Sequence, residues 1–243
     1  MSGHSHWAGI KHRKGINDAK RGQIFTKHGK LISIAAKNGG GGDPASNFQL
    51  RLAIERARAE NMPKENIEKA IKRGTGEIKG QAEIQEVIYE GYFSAGANQV
   101  AMLIKTATDN KNRTLGEVRT ILMKNNGKLV PEGSVSFLFN LVGSLEIAIE
   151  DETKVSEMEM QIIEAGADDI ERLENSFLAI TKVNELQKVK DLLEKNDLKI
   201  VSGGLIYLSQ QKIQLTEKEQ ESYEKLLEEL DNQEDVQEIF DNL

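Results

Sequence analysis

Cysteine is absent from the 243 residues, which excludes disulfides, thiolate metal sites and cysteine nucleophiles. Aromatic residues make up 5%, and there is a single tryptophan, Trp7. No window approaches the roughly 18 uninterrupted apolar residues of a membrane span, and the start has no apolar signal core. A cytoplasmic protein without a membrane partner is expected. Catalytic signatures are missing too: no Gly-x-Ser-x-Gly elbow, no dinucleotide fingerprint, and no Gly-Lys-Ser/Thr after the glycines at 39–42. All four histidines, His4, His6, His12 and His28, lie in the first thirty residues, so no His-centred site forms elsewhere. His4 and His6, one residue apart without a nearby carboxylate or thiol, do not make a ligand set. The expectation is no enzyme, no cofactor and no metal.

Against these absences stands a charge asymmetry. The chain is formally −7, yet residues 1–79 hold sixteen Lys/Arg against seven Asp/Glu. The other 164 residues hold sixteen against thirty-two, so +9 faces −16. One part is built to approach a polyanion and the remainder to stay off it. Lys11, Arg13, Lys14, Lys20, Arg21, Lys27 and Lys30 crowd the first thirty residues with one acid, Asp18, among them. A solvated charged face normally interleaves acids, so these residues are read as phosphate contacts. Trp7 and His12 are candidates to stack on unpaired bases, although Trp7 would serve equally to anchor the arm.

Hydrophobic periodicity divides the chain further. Residues 1–16 read as a basic arm. A helix follows at 18–37, its apolar stripe running through Ile24, His28, Leu31 and Ala35, with Lys20, Lys27 and Lys30 on the far face. The glycines at 39–42 read as a flexible connector. Asp43 and Pro44 are placed as the cap and first position of a second helix to about residue 61, and Pro63 opens a third, closed at Gly74. Lys72 and Arg73 in its last turn suit both the helix dipole and an external phosphate. Strands are expected at 86–92, 100–108, 135–139, 145–149, 177–181, 199–201, 205–208 and 236–240. Helices are expected at 109–124, 155–164, 183–195 and 217–230, the last opened by a Thr216/Glu219 capping box. This is an α+β, multi-domain pattern: an N-terminal three-helix bundle followed by two ferredoxin-like α+β domains. The expected division is 1–79, then 80–140 joined with 205–243, with 141–204 inserted. Asp109, Asn110, Asn112, Arg113 and Thr114 sit where a strand opens a helix. Capping accounts for Asp109 and Thr114, and Arg113 is the candidate ligand contact. The acidic stretch 217–243 reads either as a solvated face or as a surface that repels nucleic acid.

Several strings resemble the YebC/PmpR family. They include Gly3-His4-Ser5 with Trp7, Ile10-Lys11-His12-Arg13-Lys14, Asp18-Ala19-Lys20-Arg21-Gly22 and Ile24-Phe25-Thr26-Lys27. Asn61-Met62-Pro63-Lys64, Ile71-Lys72-Arg73-Gly74-Thr75-Gly76, Tyr89-Glu90-Gly91-Tyr92 and Gly133-Ser134-Val135 continue the likeness, which is densest to about residue 140. The resemblance implies three domains and a non-enzymatic role. It implies either a DNA-binding transcriptional regulator or a ribosome- and RNA-binding translation factor that relieves stalled translation. The partner is thus DNA, or ribosomal RNA within the ribosome.

Overall fold

The computed structural model describes the backbone of residues 18–243 apart from 79, 81 and 97, and side chains from residue 21 onward. The expected arm, with Trp7, Lys11, His12, Arg13 and Lys14, lies outside the described residues. The chain is an α+β, multi-domain fold. It divides into two compact units, one ending at Asn140 and resumed at Leu208–Leu243, the other Leu141–Tyr207.

Three helices come first: α1 (Asp18–Asn38), α2 (Phe48–Ala59) and α3 (Lys64–Gly74). Ile32, Ala35, Ala36, Leu50, Ile54, Ala57, Met62, Ile67 and Ala70 form their common core. The single stripe expected on α1 gives way to burial on every side from Ile32 to Ala36. Ile34 turns away from the bundle core and packs with Ile84 and Ala107, so α1 is sandwiched between the bundle and a sheet. Small side chains allow this. The Ser33 hydroxyl donates to the Ala70 carbonyl at 2.8 Å, and a Cβ on Gly74 would collide with the backbone carbonyl oxygen of Ser33.

The second helix starts later than Asp43 and Pro44 suggest. Residues 43–46 make a turn, with the Ala45 N–H donating to the Asp43 carboxylate, and Asn47 is the cap, accepting from Leu50 N–H at 3.0 Å. The Asn47 amide also donates to the Ala35 and Gly41 carbonyls, both at 2.8 Å. Those tertiary bonds favour Asn47 over Asp43. They also correct the flexible connector: the glycine run is tied down at Gly41, while Gly40 and Gly41 take positive φ of 92° and 127°, which glycine adopts without strain.

The first sheet has the order β3-β1-β2-β8, from β1 (Gln85–Ala95), β2 (Asn98–Thr108), β3 (Gly127–Val130) and β8 (Val236–Asp241). All three pairings are antiparallel, so β2 and β3, joined through α4 (Lys111–Lys124), run parallel on either side of β1. Phe93, Met102, Ile104, Val118, Leu122, Tyr223, Leu226, Leu227 and Ile239 build its core with α4 and α7 (Glu217–Asp231). The second sheet, β5-β6-β4-β7, comprises β4 (Phe139–Ala148), β5 (Asp169–Arg172), β6 (Ser176–Thr181) and β7 (Ile200–Ser209), with α5 (Val155–Ala165) and α6 (Leu186–Lys195) between strands. This is the split βαβ order of a ferredoxin-like fold.

The expected strand 145–149 is part of the longer β4, and the expected strands 199–201 and 205–208 fuse into β7. The expected strand at 135–139 is instead largely a tight turn leading into β4. Buried Glu90 on β1 accepts the N–H groups of Gly133, Val135 and Ser136 at 2.7, 2.6 and 3.1 Å, holding them away from a ladder. Burial alone would raise the Glu90 pKa, but these donors outweigh it and lower it, so the loop is clasped by a carboxylate. The four-residue strands β3 and β5 went unpredicted.

Candidate nucleic-acid interface

Lys27 and Lys30, one turn apart on α1, do not face solvent. Lys27 Nζ donates to the Asp231 carboxylate at 2.9 Å and to its carbonyl at 2.6 Å. Lys30 Nζ donates to Asp235 Oδ1 at 2.6 Å and to the Glu234 carbonyl at 3.1 Å. From α2, Arg56 lies 3.5 Å from Glu238, which also meets Lys105 at 3.4 Å. The acidic stretch at the end of α7 and the start of β8 therefore docks the basic bundle, an arrangement that neither reading of 217–243 anticipated.

Asp235 is the centre of this seam, with a side chain 1% exposed. Besides Lys30 it accepts from the Thr114 hydroxyl at 2.6 Å and Arg113 at 2.9 Å. Burial would raise its pKa, but the Lys30, Thr114 and Arg113 donors more than reverse this and hold it far below the usual carboxylate range. Arg113, raised in turn chiefly by its hydrogen bond to Asp235, bonds also to Asp109 at 3.0 Å. Arg73 donates to the Ala82 carbonyl at 3.0 Å and stands 3.8 Å from Asp109. Asn110 caps α4 by accepting from Arg113 N–H at 3.1 Å. Of the sequence candidates, then, Lys27, Lys30, Arg73 and Arg113 are brought together, but around carboxylates of the same chain.

Lys72 and Arg21 are exposed at the end of α3 and the start of α1; Lys20 contributes backbone only to the described residues. Two cations that sequence reasoning passed over join the outer surface. Arg51 and Arg58 of α2 line a shallow groove of about 280 Å³ with Pro44, Ala45, Ile54 and Glu55, beside the glycine turn. Arg51 also lies over the Phe48 ring, 5.8 Å from its centroid. Their seven-residue spacing was the available signal, since i and i+7 share a helix face. Among the described residues no group of three or more His, Asp or Glu could hold a metal ion, and no helix is long and apolar enough to cross a membrane.

Residues 5–77 match the family described as TACO1/YebC protein N-terminal domain, and residues 84–243 match TACO1/YebC second and third domain. A probable transcriptional regulatory protein of Caldanaerobacter subterraneus is 46% identical over 243 residues, covering 100% of this chain and 98% of the relative. One from Thermotoga maritima is 46% identical over 242 residues, covering 100% and 93%. The crystal structure of a conserved hypothetical protein from Aquifex aeolicus superposes with a TM-score of 0.86 at 40% identity, covering 98% of this chain and 96% of that one.

Proposed function

Because the chain belongs to the TACO1/YebC family, whose relatives are named probable transcriptional regulatory proteins, we propose that it is a nucleic-acid-binding regulator of gene expression acting on DNA. The observation that carries this reading is the charge division, sixteen Lys/Arg against seven acids in residues 1–79 of a chain that is −7 overall. The proposed contacts are Trp7, Lys11, His12, Arg13 and Lys14 of the arm, continued by Lys20, Arg21 and Lys72, with Arg51 and Arg58 added from α2. Lys27, Lys30, Arg73 and Arg113 hold the seam that orients this surface. The basic arm and helical bundle, 1–79, form the proposed binding domain, and the two α+β domains are 80–140 with 205–243 and the inserted 141–204. The role is regulatory, not catalytic, and cytoplasmic.

About six phosphate contacts give a slope near −5 in log affinity against log salt on duplex DNA, at ~0.9 per contact. A slope near zero removes the reading. Crosslinking in cells, followed by sequencing of bound DNA and RNA, tests the partner. Promoter DNA without ribosomal RNA supports the proposal; ribosomal RNA without promoters replaces it with a translation factor.

A further inference from the structure

The seam between α1 and the end of the chain has an unusual makeup. Its acidic side is a single run, with Asp231, Glu234, Asp235 and Glu238 within eight residues. Its basic side comes from separate elements: Lys27 and Lys30 of α1, Arg56 of α2 and Arg113 of α4. The buried apolar cluster joining α1 to β2 is small, consisting of Ile34, Ile84 and Ala107. A closely spaced run of carboxylates held by lysines and arginines has the chemistry of a phosphate backbone under the same donors.

We propose that the α7–β8 turn is a built-in polyanion covering a second nucleic-acid-binding face on α1 and α2, and that a phosphodiester backbone displaces it by exchange. The inference rests on the nucleic-acid reading of the bundle. Exchange replaces each carboxylate by a phosphate, so the cations stay paired throughout, and counterion release from the nucleic acid favours it. A seam held by ion pairs over a small apolar contact is also the kind that salt loosens. Exposure sets the order. Lys27–Asp231 is 13% and 28% exposed and Arg56–Glu238 is 32% and 26%, whereas Asp235 is 1%. The outer two pairs yield first, and Asp235 remains as the anchor.

Hydrogen exchange on the full chain, with and without a mixed-sequence DNA duplex two helical turns long, tests this. Bound duplex should speed exchange at residues 231–238. The double variant Asp231→Asn/Glu238→Gln should bind the duplex about fivefold more tightly, with a salt slope steeper by roughly 1 to 2. The swap Lys27→Glu/Asp231→Lys keeps the pair with its sign reversed. It should fold like the wild type and bind the duplex more weakly, because the repelling charge now lies on the covered face. Duplex binding with unchanged exchange at 231–238, or a swap variant of wild-type affinity, overturns the inference and leaves the functional reading intact. A wild-type chain that does not bind the duplex at any salt concentration overturns both.

Discussion

Lys30 and Lys72 are both lysines on helices of one small bundle, and nothing in their immediate sequence separates them. The Lys30 side chain is 12% exposed and bonds to a carboxylate 205 residues away. Lys72 stands in water at the end of α3. The bundle thus has an inner electrostatic face, closed by α4 and the α7–β8 turn, and an outer face formed by α2, the glycine turn and the end of α3. A basic patch counted in sequence is the sum of the two, and only the outer part is exposed in the fold. Net charge singles out a domain; burial and pairing tell which of its cations are spent within the chain.

Four perturbations sharpen this contrast. The largest effect is expected from Asp235→Asn, which leaves Lys30 and Arg113 without their buried partner. Removing one member of such a pair costs about 3–5 kcal/mol, to be read from urea unfolding of the full chain. A loss below about 1 kcal/mol would mean that the inner face is not held electrostatically. Gly74→Ala comes next, since its Cβ would collide with the backbone carbonyl oxygen of Ser33. Forcing α3 off α1 should cost about 1–3 kcal/mol, whereas Gly22→Ala, with nothing within 4 Å, should cost no stability.

Acid offers a third test. Asp235 has a depressed pKa in the fold and an ordinary one, about 3.9, when unfolded. Its contribution is therefore present above the unfolded value and is lost as pH falls below about 5 toward the folded one. The unfolding midpoint of the wild type should drop over this range, and Asp235→Asn should flatten that part of the profile. The smallest stability effects belong to the outer face. Arg58→Ala and Lys72→Ala should each change stability by less than about 0.5 kcal/mol while reducing the DNA salt slope by about 0.9. Unaltered slopes would move the ligand off this face.

Much of the architecture was legible because it is local. The helical stripes, the β-branched run of β2 and the capping pair at the start of α7 each announce themselves over a few residues; Glu219 indeed accepts the Thr216 N–H at 2.9 Å. The cap of α2 was misplaced because Asn47 is selected by carbonyls at Ala35 and Gly41 as well as by its own helix. Strands β3 and β5 escaped because four residues carry too little periodicity to register. The site was legible in residue type only. Lys27 and Lys30 carry the same local signal whether they meet phosphate or Asp231 and Asp235, and a partner some 204 residues distant leaves no trace in spacing. The Gly133–Val135 segment had a visible turn in Gly133, yet its clasp by Glu90 could be learned only from the fold.

The docking turn also follows the bundle by more than 150 residues in chain order. A ribosome adding roughly 5–20 residues per second therefore makes α1, α2 and α3 on the order of ten seconds before Asp231, Asp235 and Glu238. During that interval the bundle can fold around its own apolar core, before Asp231, Asp235 and Glu238 exist to pair with Lys27, Lys30 and Arg56. The sheet is likewise open beside β2, since β8 completes it last. The newborn protein is thus more basic in its accessible surface than the finished one. Until Asp231, Asp235 and Glu238 emerge, the face of α1 and α2 that they cover lacks its acidic turn.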